Sequence, residues 1–396
     1  MSTPSGVLVV GASAAGLATA EALRRKGYRG TLTLVGDEVH PPYDRPPLSK
    51  QVLAGTWTPE RAHLRTAEVL EVLDARFVLG DPAVALDVPT RTVGTASGLE
   101  FGADAVVVAT GVRPRTLPGR TGLAGVHVLR SPADSLALRE NLLIARRLVV
   151  VGDGVLGAEV AATARGLGVD VTLAGPQRAP LEAQLGPLVA GLLGDLHAEN
   201  GVRLRLGAAV IGLTGDGGRV DGVLLDTGEV LPADVVVVAL GAVPATEWLH
   251  GSGLTLDNGL VCDARCRAAD GIYAVGDVAR WHHDRLGLPL RLENRTNATE
   301  QATVVADNIL GAQRSYEPVP YFWTDQFDAR IHVHGTPAVD ATATVVDGDL
   351  AARRFVVLHE RDGVPVGVLG WNMPKQARRL RQHHLAPQAP LPEGRR

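Results

Sequence analysis

The sequence predicts an α/β chain with two parallel-sheet modules and a smaller α+β C-terminal domain. Three observations carry that expectation. A strand–turn–helix–strand pattern occurs twice, at 7–36 (VLVVGASAAGLATAEALRRKGYRGTLTLVG) and at 148–175 (LVVVGDGVLGAEVAATARGLGVDVTLAG). A second pair repeats in the same order, ADAVVVATGVRP at 103–114 and ADVVVVALGAVP at 233–244. After residue 320 the pattern changes to short β-rich runs such as ARIHVHG, ARRFVVLHE and VPVGVLGW.

Each element has a local reason. In the first pair, an apolar β-branched strand enters a Gly-rich turn, an Ala/Leu-rich helix and a second strand. That is the opening half of a Rossmann-like dinucleotide-binding module. The second pair reads as later strands of the two sheets, each stopped by a Gly turn and a Pro. The first module is therefore interrupted by the second and resumes after Gly241, because a further strand and turn, GIYAVGDVAR, follows at 271–280. A helix is expected over about 292–310 (LENRTNATEQATVVADNIL) and a linker at 314–321 (RSYEPVPY). The ordered part of the third domain is expected at 320–385, with a disordered Pro-rich tail beyond it. The expected domains are 1–111 with 241–318, then 112–240, then 319–396.

Composition excludes several classes. With 396 residues, two or three domains are expected, and no disulfide or metal staple is needed to complete a core. An apolar fraction of 45% with a net charge of −4 argues against disorder and against a basic nucleic-acid binder. The longest aliphatic runs fall short of the roughly 18 apolar residues a membrane span needs. The opening MSTPSGVLVVG has no basic leader segment, and the two cysteines, Cys262 and Cys266, lack metal-like partners. A cytoplasmic protein in a reducing compartment is the expectation.

The first turn runs Gly11-Ala12-Ser13-Ala14-Ala15-Gly16. Gly11 allows a tight exit from the strand, and small residues at 13–15 let N–H groups approach a pyrophosphate at the positive end of the helix. Ser13 stands where the middle Gly usually stands. Asp37 or Glu38, after the second strand, offers a carboxylate to ribose hydroxyls. The second turn, Gly152-Asp153-Gly154-Val155-Leu156-Gly157, is a full G-x-G-x-x-G followed by Glu159. Its strand ends in Gly175-Pro176-Gln177-Arg178 with no ribose acid. Arg178 either accommodates a coenzyme phosphate or is a solvated charge, so the choice between NADH and NADPH stays open. Two such modules suggest two cofactors, a flavin and a nicotinamide.

Further motifs narrow the reading. PYDRPPLSK (42–50) follows VGDE; ATG stands at 109–111, VGDVAR at 275–280 and PYFWTDQF at 320–327. Together, and over nearly the whole chain, they resemble the FAD-dependent ferredoxin reductases of the putidaredoxin-reductase type, which serve bacterial oxygenases. The resemblance implies a glutathione-reductase-like fold. It implies that Gly11, Ser13, Ala14, Ala15 and Gly16 cradle the FAD pyrophosphate and that Asp37 takes the adenosine ribose. It places Arg45 and Lys50 by the flavin, the Ala83 backbone at adenine, Arg130 on the cofactor and Asp277 near the ribityl chain. Gly152, Gly154, Leu156, Gly157, Glu159 and Gly241 match the nicotinamide-coenzyme site. In such reductases the pair matching Lys50 and Glu159 meets near the flavin N5, where a charge pair would position the nicotinamide; the plain alternative is a surface lysine and a solvated glutamate.

The resemblance also implies a function. Hydride passes from NADH, or NADPH, to FAD. Single electrons then pass to an iron–sulfur ferredoxin that feeds a haem-thiolate monooxygenase or a ring-hydroxylating dioxygenase. A monomer or weak homodimer without nucleic-acid, membrane or metal partners is expected. The alternatives are an NAD(P)H oxidase or rubredoxin reductase of the same fold, and an apoptosis-inducing-factor-like redox switch. One departure stands out: the family pattern R-x-E-x-W-x-x-A reads Arg291-Leu292-Glu293-Asn294-Arg295-Thr296-Asn297-Ala298 here. Arg295 is thus expected to alter the cofactor environment or the docking surface, and the helix at about 292–310 is expected to aim its N-terminus at the flavin pyrimidine edge. Cys262 and Cys266 are expected in a turn region away from the flavin, with no redox role. Lys375, Arg378, Arg379 and Arg381 form either a solvated helix face or a docking patch for an acidic ferredoxin.

Overall fold

The computed structural model describes residues 3–117, 122–337 and 340–385. The chain divides into two compact units. The first holds the residues up to Arg115, Arg130–Ser135 and Gly241–Pro318; the second holds Thr116–Leu129, Leu136–Leu240 and the chain from Val319.

The first unit is built on a six-stranded sheet. Strand β1 (Gly6–Val10) lies at its heart, flanked by β2 (Thr31–Gly36) and by Ala105–Val108, all parallel. Arg76–Leu79 closes one side; Ile272–Ala274 and the antiparallel Arg267–Ala269 close the other. Val7, Leu8, Val9 and Val10 are all buried, as are all four residues of Ala105–Val108. Central parallel strands that are buried on both faces read as such unbroken apolar runs. Helix α1 (Ala14–Arg25) packs against the helix Arg295–Ile309.

That second helix starts later than the expected 292, because Asn294 is extended (φ −151°, ψ 156°) and its side chain accepts the Asn297 N–H at 2.7 Å, a well-formed N-cap. The repeated GVRP and GAVP segments are not strands of the two main sheets. Val112–Pro114 and Ala242–Pro244 pair with each other, antiparallel, with Val243 opposite Arg113. They mark where the chain leaves the first unit and where it returns.

The second unit contains two five-stranded sheets. One is parallel, with β3 (Arg147–Val151) between β4 (Asp170–Gly175) and Val235–Val238. Helix α2 (Val155–Gly166) connects β3 to β4. The other is an antiparallel sheet running from Tyr321–Gln326 to Val364–Trp371, followed by the helix Pro374–His384. The two share a core in which Ala158, Leu185 and Leu193 meet Ile331, Phe355 and Trp371. No helix among the described residues is long and apolar enough to cross a membrane.

His334, on the strand Ala329–Gly335, is buried and stacks on Tyr321 at 4.7 Å between centroids. Burial, helped by Arg381, His332 and Arg378, pushes its pKa down from 6.5 to about 4. The unfolded chain takes up this proton as pH falls below 6.5 and the folded chain resists until about 4, so stability is complete above 6.5 and declines towards 4. A His334→Phe variant is expected to lose that part of the decline, up to about 3 kcal/mol. Melting temperatures of the two proteins between pH 7 and 4 check this: the difference should grow in the variant's favour with acidity.

Candidate functional site

At the carboxyl edge of the six-stranded sheet a cleft opens, lined by Gly11, Ser13, Asp37, Arg45, Ala83 and Trp248 among others. The turn after β1 is tight for a backbone reason. A Cβ on Gly11 (φ +117°) would stand 2.1 Å from the Ala109 carbonyl oxygen, so no side chain fits. Ser13 sits at the N-cap of α1, yet its hydroxyl makes no capping bond and the first turn holds no acid. The N–H groups at Ala14, Ala15 and Gly16 therefore face the anion position of the helix dipole without a side-chain acceptor.

Of the two acids after β2, Glu38 is fully engaged. Its carboxylate pairs with Arg45 Nη2 at 2.6 Å and accepts the Tyr43 hydroxyl. Burial alone would raise its pKa, but Arg45 and Tyr43 outweigh this and hold it below the usual range. Asp37 is exposed and lines the cleft. Arg45 also donates from Nη1 to the Arg130 carbonyl at 2.7 Å. Arg130 Nη2 in turn lies 3.8 Å from Asp277 Oδ2.

Asp277 is brought to α1 by Gly276, whose positive φ (+75°) turns the chain while its N–H donates to Gln301 Oε1 at 2.7 Å. A Cβ at Gly276 would sit 2.9 Å from the Ala15 Cβ, so VGDVAR lies directly against the first turn of α1. Burial lifts the Asp277 carboxyl to about 6 although Arg130 and Arg45 oppose it. Burial likewise pulls the Arg130 guanidinium below its ordinary value, with Arg45 adding repulsion.

The remaining predicted residues are placed as follows. Lys50 ends the turn Pro46–Ser49 and lies 3.4 Å from the Ser49 hydroxyl; Ser135 Oγ anchors that turn by donating to the Leu48 carbonyl at 2.8 Å. Arg295 is directed at Asp44, Nε to Oδ1 3.0 Å, and also bonds Thr299, tying the helix start to the 42–50 segment. Gly241 (φ +80°) accepts from the Arg115 N–H at 2.9 Å, where the paired strands close.

In the second unit the same cradle recurs. Gly152 N donates to Ala174 O at 2.8 Å as Gly11 N does to Val35 O at 2.7 Å, and a Cβ on Gly152 would lie 2.3 Å from Ala239 O. Gly154 caps α2 with open space around it, Gly157 packs on the Gly152 carbonyl and Leu156 is half-buried. Arg178 is exposed, and its N–H donates to Glu182 Oε2 at 3.0 Å. Glu159 is buried and accepts from Thr324 Oγ1 at 3.0 Å. Lys50 thus belongs to the first unit and Glu159 to the second.

Sequence reasoning missed Tyr43, Arg291, Gln301 and Thr324. Arg291 donates to the Asp277 carbonyl at 3.0 Å. Tyr43 and Thr324 lie inside motifs already singled out, which was the available signal. Cys262 ends a strand (Leu260–Cys262) rather than lying in a turn; Cys266 follows it, and both are buried free thiols. Burial raises both, Cys266 to about 12.

An uncapped helix N-terminus, a solvent-facing acid at the strand end and a half-buried acid whose ionisation is resisted fit a dinucleotide with a phosphate centre and hydroxyl donors at either side. Comparison with known proteins agrees. Residues 5–302 match the family described as pyridine nucleotide-disulphide oxidoreductase, and residues 321–393 match the reductase C-terminal domain. Rhodocoxin reductase of Rhodococcus erythropolis is 35% identical over 387 residues, 97% of this chain and 90% of the relative. The ferredoxin–NAD(+) reductase component of the anthranilate 1,2-dioxygenase system of Burkholderia cepacia is 37% identical, covering 88% and 86%. The covalent putidaredoxin reductase–putidaredoxin complex superposes with a TM-score of 0.91 at 34% identity, covering 96% of this chain and 92% of that one. The chain belongs to the pyridine nucleotide-disulphide oxidoreductase family, in the form that ends in a reductase C-terminal domain.

Proposed function

We propose that the protein is a FAD-dependent NAD(P)H:ferredoxin oxidoreductase that supplies electrons to an oxygenase, either a haem-thiolate monooxygenase or a ring-hydroxylating dioxygenase. The observation that carries the reading is the pair of matched cradles, at Gly11 and at Gly152, in a chain that ends in a reductase C-terminal domain. FAD held there would supply the chemistry of accepting an electron pair from a dihydronicotinamide and releasing it as single electrons.

The chain's own residues do the rest. The first-turn N–H groups of α1, at Ala14, Ala15 and Gly16, hold the FAD pyrophosphate, with Gly11 and Ser13 shaping the turn. Asp37, left free by the engagement of Glu38, accepts from the adenosine ribose, and the Ala83 backbone meets adenine. Asp277 accepts from a ribityl hydroxyl, which relieves its unfavourable burial. Arg130 and Arg45 balance that carboxylate. Arg295, a departure from the family pattern expected at the cofactor, acts on the 42–50 segment through Asp44.

Gly152, Gly154, Leu156 and Gly157 receive the nicotinamide coenzyme with Gly241 and Arg178, and Thr324 holds the Glu159 carboxylate in place. Lys50 and Glu159 keep the roles of positioning the nicotinamide and balancing charge at the flavin. The buried, proton-holding Cys262 and Cys266 are unsuited to thiol–disulfide exchange, which requires an accessible thiolate.

We assign three modules, at 1–111 with 241–318, 112–240 and 319–396, and a cytoplasmic monomer or weak homodimer. The exposed Lys375, Arg378 and Arg379 on the C-terminal helix give an acidic ferredoxin a basic landing face.

NADH-driven cytochrome c reduction tests the reading. Rapid reduction only when an iron–sulfur ferredoxin is added supports it, and rapid oxygen consumption without ferredoxin contradicts it. Replacing Arg378 and Arg379 together by Gln is expected to slow the ferredoxin-dependent rate about three- to tenfold at low salt, the gap closing at high salt; ferricyanide reduction should not change. Asp277→Asn is expected to weaken FAD retention about tenfold while raising the apoprotein's melting temperature above pH 6, because the variant has no carboxyl to ionise. Flavin titration and melting of the stripped protein read the two effects.

A further inference from the structure

The coenzyme module lacks an acid at the end of β4, where such a residue normally accepts from the adenosine ribose. Residues 175–178 read Gly-Pro-Gln-Arg. Superimposing the registers of the two modules puts Pro176, which has no carboxylate, at the position of Asp37. β1 pairs with β2 so that Val10 faces Val35, and β3 pairs with β4 so that Val151 faces Ala174. Gly11 and Ala12 therefore correspond to Gly152 and Asp153, and Gly36 to Gly175.

In the first module a Cβ on Gly36 would lie 2.8 Å from the Cβ of Ala12. In the second, a Cβ on Gly175 would lie 2.4 Å from Asp153 Cγ and 2.3 Å from its Oδ2. The Asp153 carboxylate thus fills the space that a side chain at the end of β4 would occupy. It is buried, 5% exposed, and held on both oxygens: Gln177 N donates to Oδ2 at 2.8 Å and Gln177 Nε2 to Oδ1 at 2.8 Å. Gln177 is itself fixed, since its Oε1 accepts from the Ala183 N–H at 2.8 Å.

We infer that Asp153, reaching across from the glycine turn, replaces the strand-end acid as the residue that selects NADH over NADPH. The inference rests on the coenzyme site proposed above. A carboxylate accepts from a free ribose 2′-hydroxyl and repels a 2′-phosphate, and burial beside the site strengthens the repulsion. Glu182, whose carboxylate caps the N–H of Arg178 at 3.0 Å, adds a second negative charge to the same loop. Arg178 is the cation of that loop, and it is solvent-exposed, where its attraction for a phosphate is screened. Arg205, which lies opposite Ala174 on the neighbouring strand, is paired with Glu229 at 3.2 Å. The acid side of the balance is the stronger, and selection follows from it.

The test uses the FAD-loaded, full-length protein and equilibrium binding of ADP-ribose and of its 2′-phosphorylated counterpart. These report the adenosine half of the coenzyme without turnover. The wild-type protein is expected to bind ADP-ribose at least tenfold more tightly. Asp153→Ala places at 153 the residue the first module already carries at 12, so the turn is compatible with it. This variant should bring the two affinities within about threefold of each other.

The double change Asp153→Gly with Gly175→Asp returns a carboxylate to the strand end and should restore the tenfold preference. A preference unchanged in Asp153→Ala with an unaltered melting temperature overturns the assignment, as does a wild-type preference for the 2′-phosphate. If neither ligand binds the wild-type protein, the coenzyme site itself is misassigned and the inference falls with it. If Asp153→Ala does not fold, the preference measured in Asp153→Asn decides by the same criterion.

Discussion

The molecule depends on one close approach, made twice: backbone against backbone at the carboxyl end of a parallel sheet. At Gly11 and at Gly152 the chain passes so near the carbonyl of a neighbouring strand end, Ala109 or Ala239, that a β-carbon would overlap it. That approach turns the chain sharply enough for a helix to begin with its N–H groups open at the sheet edge. Everything that can hold a phosphate or a ribose is arranged around those two helix starts. The fully buried valine runs of β1, β3 and their neighbours serve to keep the carbonyls where the turns need them.

Around the first turn, charge is disposed in a chain. Glu38 with Tyr43, Arg45, Arg130 and Asp277 follow one another at hydrogen-bond or ion-pair distance. The outer member, Glu38, is satisfied and held ionised, whereas the inner one, Asp277, resists ionisation. A strained acid beside a helix start is a ready acceptor for a hydroxyl-bearing ligand, and it costs the empty protein stability. In the second module the carboxylate in the glycine turn, Asp153, stands at the position of Ala12 and is held on both oxygens by Gln177.

Much of this was legible in the chain because it is local. A fully apolar strand, a glycine at its exit and small residues in the next helix turn follow one another within a few positions, and their spacing alone places both cradles. What was not legible depends on partners far apart. Arg295 meets Asp44 across 251 positions, so no local pattern reveals that it steadies the 42–50 segment. That Tyr43 and Arg45 take Glu38, while Asp37 faces the cleft, shows only in the folded chain. The helix at 295 was misjudged by three residues because Asn294, not the apolar pattern, sets its start. Asp153 stood in plain view inside a glycine motif whose second position tolerates any residue, and its meaning lies in the missing β-carbon at Gly175.

The account is most directly tested by mixing the FAD-loaded protein anaerobically with one equivalent of NADH and following the flavin absorbance. It predicts rapid bleaching, followed by return of the flavin colour when two equivalents of oxidised ferredoxin are added, each taking one electron. A protein that folds but does not retain FAD, or whose bleached flavin leaves ferredoxin oxidised, would contradict it.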